Sequence, residues 1–171
     1  MGVETRRERN VMYRRILVPI DGSPTSMRGL KEAIRLAADQ RARLQVLNVV
    51  DELIVLQSLD AFSMSNTGDL IEGLREAGRK ALAEATALTG RHGVKAAIRM
   101  LDSRTLRVCD VIVEEAKKWR ADLIIMGTHG RRGVTRMLLG SDAEGVLRST
   151  PVPVLLVRAE VQGKGTRRRS R

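Results

Sequence analysis

Apolar residues recur along this chain in two alternating rhythms. Short continuous runs (Ile16-Leu17-Val18-Pro19-Ile20, then Leu44 to Val50, Val94 to Leu101, Ala121 to Met126 and Val152 to Val157) read as strands. Between them the apolar positions return every three or four residues. One set is Met27, Leu30, Ala33, Ile34 and Ala37, and a longer one is Leu70, Leu74, Ala77, Ala81, Ala85 and Leu88. Cys109, Ile112, Val113 and Ala116 form a third, and Ala143, Val146, Leu147 and Thr150 a fourth. Each set falls on one face of a helix. The first helix opens with Ser23 as N-cap and Pro24 as first helical residue, after the turn signal Asp21-Gly22. The long helix stops near Gly90 to Gly93, and Trp119 closes the third. Lys95 and Arg99 interrupt the run from Val94 to Leu101, which predicts an edge strand with one wet face. Asp51 to Thr67 is irregular and mixed, and no internal repeat is found. Helices alternating with short apolar strands predict an α/β domain of parallel βαβ units with right-handed crossovers. Ligands in such folds bind outside the carboxyl ends of the strands, where the winding reverses. The ends Pro19-Ile20-Asp21, Val49-Val50-Asp51 and Met126-Gly127 are therefore the places to look for chemistry.

One stretch stands out there. After Met126 comes Gly127, three residues on Gly130, and nine residues later Gly140-Ser141, where a helical pattern begins at Ala143. A strand, a glycine-hinged loop and a helix start present free backbone N–H groups to an anion. Gly127 and Gly130 lack a Cβ, so the backbone is free to take positive φ and approach a ligand. Gly140 lets the chain turn into the helix, and Ser141 caps it. A glycine pair after a strand also marks a plain tight turn; the Gly-Ser at fixed distance tips the reading to phosphate. If the first and fourth strands are neighbours, Asp21 faces this loop and can accept from a ribose hydroxyl or an adenine amine. The alternative for Asp21 is an Asx-turn cap on Gly22-Ser23-Pro24.

Composition narrows the class. With 171 residues, 43% of them hydrophobic, the chain has the size and core of one domain. No apolar run approaches the roughly 18 residues that span a membrane, and the polar residues 1–11 do not read as a secretory signal. The single cysteine, Cys109, excludes an intrachain disulfide and points to the cytoplasm. Two histidines and one cysteine speak against zinc, and 2% aromatics leave few stacking platforms for single-stranded nucleic acid. More than half of the +11 net charge sits at the ends: residues 1–15 carry five arginines against two glutamates, net +3, and residues 160–171 net +4. The expected division is a basic extension over 1–11, a domain over 12–159 and a disordered basic tail over 160–171. Such arms are solvated charge, with contact to nucleic acid or anionic lipid as the alternative. His129 reads as a solvent-facing loop residue because no catalytic partner is placed beside it. His92 reads as a helix-end residue, Cys109 as an inert core thiol and Trp119 as packing. No GxxxxGK[ST] is present, so P-loop ATPase machinery is absent.

From Met12 to Arg158 the chain resembles a universal stress protein domain. The resemblance rests on MYRRILVPIDGS, ADLIIMGTHGRRG, LLGS and PVPVLLVR, and on the pattern G-x2-G-x9-G-[ST] at Gly127, Gly130, Gly140 and Ser141. It implies an open doubly wound sheet of five parallel strands in the order 3-2-1-4-5, with helices on both faces. It implies a homodimer in which the last strand (Val152, Val154, Leu155, Leu156, Val157) pairs antiparallel with its mate. It also implies ATP or AMP as ligand, with Asp21 and the Val49 backbone beside the adenosine, and Gly140, Ser141, Asp142 and Ala143 holding phosphates. The implied function is a stress-response or signalling protein acting on an unknown protein partner, with at most slow ATP hydrolysis. Nucleic acid is disfavoured as a partner and a membrane is not expected. The chain departs from the pattern at Asp142 and Ala143, where Val and Ser or Thr are common: a hydroxyl is lost and a carboxylate gained. Ser141 and Glu144 spell a capping box, and Asp142 at the first helical position complements the helix dipole. Arg131 and Arg132 offset that negative charge. Asp142 either repels phosphate or helps hold Mg²⁺ on the nucleotide. The alternative function is a nucleotide-free structural or interaction dimer whose glycine loop is empty.

Overall fold

A computed structural model describes residues 12–57, 67–128 and 139–158. Five strands, β1 (Arg15–Pro19), β2 (Arg43–Val50), β3 (Ala96–Asp102), β4 (Leu123–Gly127) and β5 (Val154–Val157), form one sheet in the order β3-β2-β1-β4-β5. Every neighbouring pair is parallel. Among the described residues the helices are α1 (Pro24–Gln40), α2 (Glu52–Gln57), α3 (Thr67–Arg91), α4 (Val108–Trp119) and α5 (Ser141–Ser149). The chain winds outward from β1 to β3, crosses back to β4 beside β1, and winds outward again to β5. The reversal therefore lies between β1 and β4.

Alternation along the strands divides the core into two layers. Ile16, Val18, Leu44, Val46, Leu123 and Ile125 face α1 and α3. Leu17, Leu47, Ile124 and Met126 face α4 and α5. The central strands are buried on both faces, which is why they read as unbroken apolar runs. At the sheet edge, β3 exposes Ala97 and Arg99 on one face and Ile98 on the other, so its exposure is not confined to the one wet face that Lys95 and Arg99 predict. Two polar residues interrupt β2 and both are satisfied. Gln45 donates to Glu115 of α4 (2.5 Å), and Asn48 donates to the Ile20 carbonyl (2.9 Å).

Local signals account for most boundaries. Ser23 caps α1, accepting from the Ser26 N–H at 3.2 Å, with Pro24 in the first turn. Pro151 and Pro153 cannot donate to a ladder, and β5 accordingly begins at Val154 rather than at Val152. β3 begins two residues later than the apolar run and ends one residue later, at Asp102 opposite Val50. The long helix begins at Thr67 rather than Leu70. The mixed stretch after Asp51 holds a short helix, α2, whose buried Glu52 is ion-paired with Arg75 (2.5 Å) and Arg104 (3.2 Å). That pairing, made with residues 23 and 52 positions away, leaves no local periodic signal. Cys109 is buried and packs where α4 meets α5, so close that a Cβ on Gly145 would stand 2.6 Å from its sulfur. No described helix is long and apolar enough to cross a membrane.

Two glycines of α3 separate propensity from packing. Gly73 is exposed with open space around it, whereas a Cβ on Gly78 would run into the Asn48 side chain held by Ile20. Gly73→Ala is expected to stabilise by up to about 1 kcal/mol, and Gly78→Ala to destabilise by about 1–3 kcal/mol, both read from urea unfolding midpoints. A second expectation concerns the thiol. Burial, reinforced by the Asp110 charge, pushes the Cys109 pKa up. The unfolded thiol ionises first, so this contribution to stability is whole below about pH 8.5 and is lost as pH rises beyond it. Thiol titration at pH 8 should find Cys109 inert in the native protein and reactive in urea; equal rates would contradict the burial.

Candidate functional site

The strand ends at the reversal carry the residues singled out in the sequence. The offset that pairs Leu17 with Ile124, carried two residues further, sets Pro19 beside Met126. Beyond Pro19 the β1·β2 ladder continues once more, through the Ile20 N–H to the Leu47 carbonyl at 2.8 Å. Asp21 then turns onto α1. Its carboxylate accepts from the Ser23 N–H (3.0 Å), and its own N–H donates to the Ser26 hydroxyl (3.3 Å). The Asx-turn role is therefore real, and half-burial leaves part of Asp21 accessible at the strand end. Val49 is half-buried on the α4 and α5 side of β2.

The glycine stretch is organised by its flanks. The Thr128 N–H donates to the Val157 carbonyl, and the Thr128 carbonyl accepts from the Gly140 N–H, both at 2.9 Å. One buried residue thus ties the end of β4 to β5 on one side and to the start of α5 on the other. The chain leaves at Thr128 and returns at Gly140 across a single hydrogen bond. Gly130 and Arg131, with His129 and Arg132, fall between these points and lie outside the described residues.

Gly127 has a different role from the one expected. It is the last residue of β4, and among the described glycines positive φ occurs at Gly22 and Gly93, not at Gly127. A Cβ on Gly127 would stand 3.0 Å from the Ser26 nitrogen and from the Thr25 carbonyl carbon, both in the first turn of α1. Gly29, one turn further along the same helix, would place a Cβ 3.5 Å from the Gly127 nitrogen. The absent side chains let α1 lie directly on the end of β4.

The start of α5 also differs in detail. Gly140, not Ser141, is the N-cap, in extended conformation and without a side-chain cap bond. Ser141 is the first helical residue and Asp142 the second. The capping box does not form, because Glu144 pairs with Arg148 (2.7 Å) and a glycine N-cap has no hydroxyl to donate or accept. The first intrahelical bond runs from the Glu144 N–H to the Gly140 carbonyl (2.9 Å). The N–H groups of Ser141, Asp142 and Ala143 precede it, and a helix start leaves such donors to external partners. Ala143 is buried on α4, and Ser141 and Asp142 are exposed. Asp142 contributes to the upward shift of the Cys109 pKa, while Arg107 holds Asp110 low. No group of histidine, cysteine and carboxylate side chains among the described residues could hold a metal ion.

Pro19, Asp21, Met126, Gly127, Gly140, Ser141, Asp142 and Ala143 thus converge on the reversal between β1 and β4, with Val49 one strand away. Thr128, Ser26 and Asn48 escaped the sequence reading. A polar residue inside an apolar run was the available signal for Asn48, and the threonine of the glycine pattern for Thr128.

Comparison with known proteins follows this geometry. Residues 12–158 match the model of the universal stress protein family. A universal stress protein of Methanocaldococcus jannaschii is 36% identical over 148 residues, covering 86% of this chain and 83% of that one. Among solved structures, a universal stress protein family member from Burkholderia pseudomallei is 36% identical with a TM-score of 0.70, covering 86% of this chain and 98% of that one. The same fold recurs in a universal stress protein in complex with cAMP (TM-score 0.61, 24% identity, 86% and 98% covered). It recurs again in the Archaeoglobus fulgidus protein in complex with dAMP (0.59, 20%, 85% and 98%). This chain, from the order of its strands to its glycine pattern, belongs to the universal stress protein family.

Proposed function

We propose that the chain binds an adenine nucleotide, ATP or AMP, at the reversal between β1 and β4. It would act as a homodimeric stress-response or signalling protein of the cytoplasm, with at most slow ATP hydrolysis. The observation that carries this reading is the closure at Thr128. It brings the start of α5, where the backbone N–H groups of Ser141, Asp142 and Ala143 precede the first intrahelical bond, to the carboxyl end of β4, in a chain that keeps the pattern Gly127, Gly130, Gly140, Ser141. In this reading α5's start takes the phosphates, and Asp21 and the Val49 backbone take the ribose and adenine. Gly130 and Arg131 enter from the sequence pattern alone. Family members solved with cAMP and with dAMP support the ligand class.

The nucleotide-free alternative draws on one observation: the first turn of α5 carries two carboxylates, Asp142 and Glu144. Titration separates the two readings. A nucleotide at 100 times its Kd should stabilise the protein by about 2.7 kcal/mol in thermal or urea unfolding. Two unit charges about 4 Å apart in water interact by about 1 kcal/mol, so Asp142→Val should bind metal-free ATP about fivefold more tightly than the parent. A variant that binds Mg-ATP more weakly and loses its metal dependence would instead assign Asp142 to the metal. No binding by either protein would leave the structural dimer standing.

The proposed dimer uses the free edge of β5. The Pro153 and Val157 carbonyls accept from the Ile124 and Thr128 N–H groups. By the two-residue alternation of a strand, Val154 and Leu156 turn their backbone groups outward. Leu156→Pro removes an outward donor and spares the β4·β5 ladder. Size-exclusion chromatography with light scattering should therefore show a folded monomer, and a dimer unchanged in mass would remove β5 from the interface.

A further inference from the structure

The two edges of the sheet treat their cations differently. Near the carboxyl ends, Arg75, Arg104 and Arg107 each lie within 4 Å of a carboxylate. At the amino ends the cations are unmatched. Lys95, Arg43 and Arg14 stand at the starts of β3, β2 and β1, and successive strands are joined there by backbone bonds. Leu44 N–H donates to the Lys95 carbonyl (3.3 Å), Arg43 N–H to Arg14 (2.8 Å), and Asp122 N–H to Arg15 (2.9 Å). Three strand spacings make a row about 14 Å long. Arg41 and Arg120 lie two residues before Arg43 and Asp122, each as the C-cap of the preceding helix. All five cations are exposed, and none forms an ion pair among the described residues.

Two further features mark this edge. Arg41 (φ 54°) and Arg120 (φ 57°) hold left-handed backbone, and they are the non-glycine residues with positive φ among those described. Such C-caps favour glycine or asparagine, yet both carry arginine, so charge is kept here against conformational preference. Two acids share this end of the sheet without pairing with a cation of the row: Asp122 accepts from the Arg14 and Arg15 backbone N–H groups (2.8 and 3.0 Å), and Asp39 from Gln40 (2.9 Å). They reduce the net charge there, and the five cations still outnumber them.

We propose that this amino-end edge is a second binding surface, which takes the phosphate backbone of double-stranded nucleic acid without reading its sequence. The row is mostly arginine, whose planar fork matches phosphate oxygens. It runs along the amino ends of neighbouring strands, as an extended polyanion requires. Single strands are disfavoured because the aromatics nearby are only half-exposed: Trp119 lies under Arg15, 5.1 Å from ring centroid to guanidinium, and Tyr13 packs on the core. A membrane surface is disfavoured because Met12 is the one large exposed apolar side chain among the described residues of this edge, and amphipathic membrane binding needs a broad apolar face. The surface lies at the opposite edge from the nucleotide site and does not depend on it.

The test is fluorescence anisotropy of the full chain with a 25-base-pair duplex of arbitrary sequence across a salt series, beside sedimentation with phosphatidylserine vesicles. The parent should bind the duplex with a steep, sequence-independent salt dependence. Arg41→Gly and Arg120→Gly suit the left-handed backbone, so they remove charge without threatening the fold, and Arg43→Gln joins them. The triple variant should melt no lower than Arg43→Gln alone, bind the duplex at least about tenfold more weakly at low salt, and lose roughly 2–3 from the slope of log K against log salt. Equal affinity and slope in parent and variant would overturn the proposal by assigning binding to the arms. Absence of duplex binding at low salt, or binding to vesicles and not to the duplex, would overturn it as well.

Discussion

The geometry of the candidate site depends on the two hydrogen bonds of Thr128. Its N–H extends the β4·β5 pairing by one residue, and its carbonyl receives the N–H of Gly140. The first bond fixes β5 against β4; the second fixes where α5 begins. Without the second, the start of α5 would be set only by Ala143 and Val146 packing on α4, contacts that tolerate sliding along the groove. With it, the eleven residues between Thr128 and Gly140 have ends one hydrogen bond apart. Loop closure costs grow only slowly with length, so such a connection is thermodynamically cheap, while the position of its ends is tightly defined.

The same economy appears in how α1 meets β4. Packing helices on a sheet normally keeps backbones apart by a layer of side chains. Here Gly29 and Gly127 remove that layer, and the first turn of α1 touches the end of β4. Asp21 adds a polar tie to the same turn. The floor of the reversal is therefore rigid on the α1 side, and close-packed interiors give little when strained. On the α5 side the first helical residues, Ser141 and Asp142, are exposed.

The sequence made the strand and helix order legible because each layer is patterned independently. Ile16, Leu17 and Val18 are apolar in succession because both faces of β1 are covered, whereas Lys95 and Arg99 announce an exposed face of β3. Legibility ended where a residue answers to something distant. Glu52 is buried in α2 against Arg75 and Arg104, and no window around Asp51 contains either partner. Gly127 looked like a hinge because glycine is read first for its φ; its actual constraint is the approach of Thr25 and Ser26, about 100 residues earlier. The S-x-x-E pattern at Ser141 was misleading in the same way. The spacing fits a capping box, but Thr128 claims the Gly140 N–H, which puts the cap one residue earlier and leaves Glu144 to Arg148. Site residues near strand ends were legible as positions, since topology dictates them, and less so as roles, which depend on partners across the fold.

The start of α5 then has to reconcile two demands. Acidic residues in a first turn complement the helix dipole, by about 0.3–1 kcal/mol each when exposed, so Asp142 and Glu144 favour the helix as it stands. An anionic ligand exploits the same positive end and competes with them. Glu144 is partly neutralised by Arg148 one turn on, 2.7 Å away. Asp142 also sits close enough to Cys109 for its charge to raise the thiol pKa, so its field reaches into the α4–α5 contact as well as outward. The Cys109 thiol is protonated at neutral pH, so removing that charge acts on stability there mainly through the lost dipole interaction, about 0.3–1 kcal/mol. The fold therefore loses little with the Asp142 charge, and the larger change is in the charge that the start of α5 presents.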